Sequence, residues 1–199
     1  MITMDFAFSK QFVDYFTGTI GMDGGEYDFF CSHFRPKILK KKSYYVEPGM
    51  LCRQKAYVNE GCLRTFAVDK NGNERILFFP MEDWWITDID SYFSSNPATI
   101  YVQALEDCQL FEIAKEDFEM LENKIPKLKV WYSLKLSRHA SKTIKRMEEM
   151  KTLTPQERYL NLMESNPEIF KRIPLQHIAS YLNIEPQSLS RLRKRLAKQ

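Results

Sequence analysis

Six side chains near the C-terminal end carry the chemistry that can be read most directly: Gln187, Ser188, Ser190, Arg191, Lys194 and Arg195. A guanidinium fork can bond O6 and N7 of a guanine, and a carboxamide can bond N6 and N7 of an adenine. Lysine, a second arginine and hydroxyls suit the phosphates of a duplex. These groups read double-stranded DNA only if one rigid surface presents them together. The surrounding pattern predicts such a surface. Leu189, Leu192 and Leu196 recur at spacings of three and four, so a helix over 186–196 turns its apolar stripe to the opposite side. Pro186 fits the first turn of that helix, where its missing N–H costs nothing.

A second element has to hold this helix in place. Ile178 and Leu182 lie four apart on one helical face, and Ala179 is small where another helix would cross closely. Asn183 tolerates the left-handed conformation of a helix C-terminus, and Ile184 can plug the angle between the two helices. The pattern describes a helix-turn-helix, with 174–182 as support and 186–196 as recognition helix. A plain helical hairpin with a solvated charged face is the alternative.

Charge is distributed to match. Residues 1–126 hold 13 Lys/Arg against 20 Asp/Glu, a balance of −7, whereas 127–199 hold 16 against 6, a balance of +10. An acidic body with a basic C-terminal part suits a nucleic-acid binder that carries a separate regulatory domain. A chain of 199 residues allows one or two domains, and 44% hydrophobic with 28% charged residues fits a soluble globular protein. No apolar run approaches the roughly 18 residues of a membrane span, and the N-terminus lacks a signal-peptide pattern. Cys31, Cys52, Cys62 and Cys108 are widely spaced, which suits a reduced cytoplasmic protein without membrane contact.

Along the chain, residues 1–34 are aromatic-rich. Phe12, Tyr15 and Phe16 suggest a short helix packed on the next domain, and 21–25 reads as a loop. Between 36 and 113 the pattern is one of short strands: 37–46, a turn at Glu47-Pro48-Gly49, then 54–58, 62–68, 75–79, 99–104 and 109–113. Asn71-Gly72 marks a hairpin, because both residues tolerate positive φ. In 99–104, Ile100, Val102 and Ala104 share one side. Many short strands at close spacing predict a double-sheet roll or barrel. A short helix over 116–123 ends ahead of Pro126.

From 127 to 150 there is neither Gly nor Pro, and one long helix is predicted. Leu128, Tyr132, Leu136, Ala140, Thr143 and Met147 form its stripe, which Trp131, Leu134 and Ile144 widen. So broad a stripe fits a helix that packs on the roll with one side and on a second copy with the other. Residues 151–153 read as a hinge. Thr154-Pro-Gln-Glu157 is a capping box that starts a new helix, broken at Asn166-Pro167. The expected architecture is α+β. A double-stranded β-roll, resembling the cyclic-nucleotide-binding type, is expected as an effector-like domain over 1–125. A long central dimerisation helix covers 126–150, and a helix-turn-helix DNA-binding domain covers 151–199.

Order and spacing together resemble the cyclic-AMP receptor protein/fumarate–nitrate regulator (Crp/Fnr) family of bacterial transcription factors, in the short-tailed branch common in Bacteroidetes. The likeness runs from about residue 30 to 196 and is carried by Glu60-Gly-Cys-Leu-Arg64, Asn71-Gly-Asn-Glu-Arg75, Gln103-Ala-Leu-Glu106 and the whole of 173–196. The resemblance implies that Gln187 and Arg191 read bases, and that Gln176 and Ser188 touch phosphate. Pro186 departs from the arginine usual at its position, so the preferred operator need not be the familiar one. The sequence ends at Gln199, and the β-hairpin wing of many members is expected to be absent or vestigial.

The sensing half departs further from the family. Where cyclic-nucleotide binders carry Gly-Glu-Leu and then Arg-Ser-Ala, this chain has Thr87-Asp88-Ile89 and Ala98-Thr99-Ile100. Ala98 replaces the phosphate-binding arginine, and a cyclic phosphate buried without that cation would be costly. Cyclic-AMP sensing is therefore not expected. Trp84, Trp85, Thr87, Asp88 and Thr99 are the candidate lining for an unknown effector, or else core of the roll. No cofactor is expected. The cysteines do not cluster as iron–sulfur members require, and His33, His139 and His177 stand alone as haem ligands.

The function implied is that of a homodimeric, sequence-specific DNA-binding transcription regulator, with RNA polymerase as a further partner. An enzyme of the metal-dependent β-roll kind is excluded, since only His33 lies near the roll. The alternative is a small-molecule-binding module whose helical C-terminus docks a protein.

Overall fold

Strand β3 (Gln54–Glu60) sets the layering of the first half, because alternate residues of a strand face opposite sides. Ala56 and Val58 point into an aliphatic core with Leu39, Leu63, Ile86, Val102, Ala104 and Leu110. Lys55 and Tyr57 point outward, yet both are buried. β3 lies in an antiparallel sheet ordered β1-β8-β3-β6, where β1 is Arg35–Leu39, β8 is Cys108–Ala114 and β6 is Trp85–Ile86. Ala56 stands opposite both Glu112 and Ile86. Strands β2 (Tyr44–Val46) and β7 (Tyr101–Ala104) pair antiparallel, with a register shift between Tyr44 and Val46. Helix α3 (Ile89–Ser94) comes directly after β6.

The computed structural model describes residues 7–196. It divides into two compact units, one of residues up to 64 together with 80–135, the other of 65–79 together with 136 onward. In the first unit, helices cover the outer face of the sheet with aromatic rings. They are α1 (Lys10–Asp14), which runs into a π-helical turn over Tyr15–Thr19, α2 (Gly24–Cys31) and α4 (Lys115–Lys124), joined by the start of α5 (Pro126–Thr152). Phe12 lies edge-on to Tyr57 at 4.6 Å, and Trp85 packs edge-on to both Phe118 and Trp131 at 5.9 Å. The expected loop at 21–25 is shorter than that. Asp23 and Glu26 form a capping box, so α2 already starts at Gly24. Gly61 links β3 to β4 at φ +116°, and a Cβ there would sit 2.6 Å from Cys108 Sγ, so only glycine fits.

The second unit contains the hairpin of β4 (Leu63–Val68, which starts in the first unit) and β5 (Glu74–Phe78). It also holds the rest of α5, with α6 (Pro155–Ser165), α7 (Ile169–Arg172), α8 (Leu175–Tyr181) and α9 (Pro186–Leu196). At the hairpin tip Gly72 has positive φ, but Asn71 does not. The Asp69 carboxylate shapes the loop instead. It accepts from the amides of Asn73 (3.0 Å) and Asn71 (2.9 Å) and from Arg75 Nε (2.8 Å), and its pKa falls to about 2.

Helix α5 extends to Thr152, so the expected hinge at 151–153 shrinks to Leu153 and the Thr154 cap. Strand β6 and helices α3 and α7 were not expected; each is too short to show a period. The wing expectation concerns residues beyond 196 and lies outside the described residues. No helix of the described residues is long and apolar enough to cross a membrane.

Lys55 is the exception in the aromatic layer. It has no solvent exposure, and its Nζ lies 3.0 Å from the Phe118 ring centroid and 3.4 Å from that of Tyr132. Cation–π attraction and the carboxylates of Glu122 and Glu119 offset only part of the desolvation, which holds the amine well below the ordinary lysine pKa. The unfolded chain therefore binds this proton more readily than the folded one. Stability contributed by the group is fully present above the unfolded value of about 10.4 and is lost as pH falls toward the folded value. Lys55→Met keeps the length without the charge. It should exceed wild type in stability at about pH 7, and as pH rises within that window the gap should close by about 1.4 kcal/mol per pH unit. Urea unfolding of both proteins across the range checks the slope.

Candidate nucleic-acid interface

Helix α8 begins after Pro174, whose fixed φ suits a helix entry, and its last residues build the turn. Asn183 adopts φ +52°, the left-handed conformation expected of it. The Ile184 amide donates to Ala179 O (2.9 Å) and the Asn183 amide to Ser180 O (3.1 Å), the paired bonds of a Schellman motif. Helix α9 then starts at Pro186. Ile178, Ala179, Leu182, Leu189 and Leu192 are buried, as are Leu162, Ile169 and Ile173 of the preceding segment.

Helix α6 braces the turn from the other side. Thr154 and Glu157 close its N-terminus as a capping box, as the sequence predicts. One turn on, Arg158 is buried. Its Nε donates to Leu182 O (3.0 Å) and its Nη1 to Leu153 O (2.6 Å). One guanidinium thus ties the end of α8 to the end of α5.

On the outer side of α9, Gln187, Arg191, Lys194 and Arg195 are exposed, and Ser188 and Ser190 are half-buried. The structure divides them. Ser188, Arg191 and Arg195 line a groove of about 520 Å³ together with Thr154, Pro155 and Gln156 at the start of α6 and with Ile184 and Leu192. Arg191 Nη2 donates weakly to Ser188 Oγ (3.3 Å), and Arg195 Nη2 donates to Gln156 Oε1. Gln187, Ser190 and Lys194 lie outside that groove. Gln176, the second residue of α8, is also exposed. Arg193, Lys194 and Arg195 fall in the last turn of α9, where cations are favoured by the helix dipole. Sequence reasoning missed Gln156, Arg158 and the exposed Arg193. The capping box placed Gln156 in a first helical turn, but nothing local linked it to Arg195, 39 positions away.

The candidate effector residues do not gather in one place. Trp84 packs against the interior core of the roll. Trp85, one residue on, belongs to the outer aromatic layer, 5.8 Å from Tyr57 and 5.9 Å from Phe118. Period-two alternation separates these neighbours. Thr87 Oγ1 donates to Gln54 O (3.1 Å). Asp88 and Thr99 do meet. The buried Asp88 carboxylate accepts the Thr99 amide (3.0 Å) and the Ser91 amide (3.1 Å), so it caps α3. Ala98 is buried in the core, and Arg64 Nε donates to Gln103 Oε1 (2.8 Å). Among the described residues no cluster of His, Cys, Asp and Glu suits a metal ion.

This arrangement, a roll of short antiparallel strands with a long helix and a set of C-terminal helices after it, has known counterparts. Residues 36–124 match the cyclic nucleotide-binding domain family. The α+β fold as a whole is shared with solved bacterial regulators. The c-di-GMP-responsive global regulator CLP of Xanthomonas campestris is similar at TM-score 0.73 and 16% identity, over 88% of this chain and 92% of that one. FixK2 of Bradyrhizobium japonicum is similar at TM-score 0.70 and 14% identity, over 83% and 85%. The catabolite activator protein of Thermus thermophilus is similar at TM-score 0.57 and 19% identity, over 89% and 85%. No curated protein sequence matches the chain. At these identities the likeness establishes the fold.

The Arg158 strut yields a direct test. Arg158→Ala leaves Leu182 O and Leu153 O without their donor and opens a hole under the turn. It should lower unfolding stability by about 2–4 kcal/mol. Chemical denaturation followed by circular dichroism measures the loss; a change within about 0.5 kcal/mol would show that the turn holds without it.

Proposed function

We propose that the chain is a homodimeric, sequence-specific DNA-binding transcription regulator of the Crp/Fnr type, in its short-tailed branch, and not an enzyme. One observation carries the reading: α9 buries Leu189 and Leu192 while presenting Gln187, Arg191 and Lys194 to solvent beside a second, tightly capped helix. That is the arrangement by which a helix-turn-helix enters the major groove. Solved proteins that share the fold include a global regulator of virulence gene expression and a catabolite activator protein, which agrees with it. Arg191 is assigned to a guanine and Gln187 to an adenine. Lys194, Arg195, Gln176, Ser188 and Ser190 are assigned to phosphate and groove-wall contacts. RNA polymerase is the further partner the reading implies, in a cytoplasmic setting.

Helix α5 supports a dimer. Leu128, Trp131 and Tyr132 are spent within the chain, yet Val130, Leu134, Ile144 and Met147 remain 52–62% exposed. Val130, Ser137 and Ile144 are seven apart, and so are Leu134 and Ser141, a heptad seam with small residues at its middle. A parallel pair of such helices would set two recognition helices roughly 34 Å apart on one side of a duplex.

The domain assignment of 1–125, 126–150 and 151–199 carries a sensing role for the roll. Cyclic AMP is not its effector in this reading. Ala98 offers no cation, and Asp88 already occupies the amides of Ser91 and Thr99. Saturating cyclic AMP should leave the melting temperature unchanged and give no calorimetric heat. A micromolar dissociation constant would mean that another cation, such as Arg64 or Arg53, has taken over, and the assignment would be withdrawn.

Binding-site selection at fixed salt tests the DNA reading. Wild type should select an inverted repeat, the signature of a two-fold dimer. Arg191→Ala should cost about 1–3 kcal/mol on the best site and relax one base pair per half-site. Lys194→Ala should weaken all sequences alike and lower the salt slope by about one per contact removed in each subunit. Wild type that selects no sequence, or a motif altered by Lys194→Ala and left intact by Arg191→Ala, would overturn the respective assignment.

A further inference from the structure

Strand β5 is bonded to β4 on one side and ends its sheet. An open strand edge leaves backbone N–H and C=O groups that need partners. In this protein helices supply them. Ser180 Oγ of α8 accepts from the Ile76 amide (3.1 Å) and donates to Glu74 O (3.0 Å), bridging alternate residues as a neighbouring strand would. Arg146 of α5 completes the join. Its Nη1 donates to Leu77 O, and its Nη2 donates to both Ile76 O (3.1 Å) and Tyr181 O (3.0 Å). The same guanidinium lies 3.8 Å from the Tyr181 ring centroid, and Phe79 packs 5.2 Å from that ring. Three elements (the hairpin, α5 and the end of α8) thus meet at one arginine and one serine. Tyr181 is five residues before Pro186, where the recognition helix begins.

We propose that Arg146 and Ser180 are positioning residues: they clamp the end of α8 to the β4–β5 hairpin and so fix the aim of α9. The inference rests on the DNA-binding reading, and it adds what sets the geometry of binding as distinct from what reads the bases. The hairpin is covalently continuous with the first unit at both ends, through Arg64 and Pro80. Together with α5, which crosses from Lys135 to Leu136, it is a segment by which a change in that unit would reach the recognition helix. The clamp leaves Gln187, Arg191 and Lys194 exposed, so it presents the reading face and does not mask it. In a two-fold dimer, both half-sites are engaged at once only if each recognition helix is held at a set separation. A loosened clamp spends binding free energy on restoring that order.

The test uses the full-length chain as wild type, Arg146→Met, Arg146→Lys and Ser180→Ala, with the wild-type operator, an isolated half-site, and operators lengthened or shortened by one base pair at the centre. Arg146→Met should lose about tenfold or more on the full operator while its half-site affinity stays within about twofold. It should also discriminate less against the altered spacings. Ser180→Ala should show the same pattern more weakly, with faster hydrogen exchange at the Ile76 amide. Arg146→Lys, which keeps the charge but cannot reach three carbonyls at once, should recover only part of the loss. A half-site affinity that falls as far as the full-site affinity would show a merely structural role and overturn the proposal. So would unchanged affinity and unchanged spacing preference in Arg146→Met. Wild type that binds no DNA would instead remove the reading on which the proposal rests.

Discussion

The last four carbonyls of a helix have no partner inside it, and how α8 satisfies its own decides the second unit. Ala179 O and Ser180 O are taken by the amides of Ile184 and Asn183. Tyr181 O is taken by Arg146 and Leu182 O by Arg158. Two bonds are local and come from a backbone that Asn183 allows to turn left-handed. The other two come from arginines on α5 and α6. The turn before α9 is thus specified twice, by its own conformation and by two guanidinium groups brought in from distant parts of the chain. Burying such groups is costly unless their donors are used, and the carbonyls they meet would otherwise be unpaired.

The first unit solves a different problem. Its sheet must be covered on both faces, and the two faces use different chemistry. The inner face packs small and branched aliphatic residues around Ala56, Val58 and Ala104. The outer face packs rings, among them Phe12, Tyr57, Trp85 and Phe118, under helices that precede and follow the strands. Lys55 sits among those rings because its position in β3 faces outward by alternation. The same alternation parts Trp84 from Trp85. After β6, the carboxylate of Asp88 supplies the acceptor for the Ser91 and Thr99 amides from within the chain. With Asp88 as their acceptor, those two amides already have a partner within the chain.

Both units bear on the long helix. Its first part is consumed by the aromatic layer through Leu128, Trp131 and Tyr132, and Arg146 is consumed by the clamp. The remainder, Val130, Leu134, Ile144 and Met147, is exposed apolar surface, the face on which the proposed dimer rests. A helix that serves the aromatic layer at one end and the Arg146 contacts further on must be long and unbroken, and this one runs from Pro126 to Thr152.

Elements whose signals are local were legible in the amino-acid sequence. Leucine spacing, Pro186 and Asn183 marked α9 and the turn before it, and Thr154-Pro-Gln-Glu157 marked the start of α6. Turn signals and, over 99–104, apolar alternation marked most strands, and the absence of Gly and Pro marked α5. Such signals can be read because side-chain periodicity and capping act within a few residues. The remaining features came only with the folded chain. Folding placed Trp84 and Trp85 on opposite faces, spent Asp88 on a helix cap, and set Gln156 beside Arg195. It also brought Arg146, Ser180 and the edge of β5 together. Ser180 and Ile76 are 104 positions apart, and no local pattern encodes such a contact. Which buried polar group meets which is settled only when the whole chain has closed around them, because each must find a partner once water is gone.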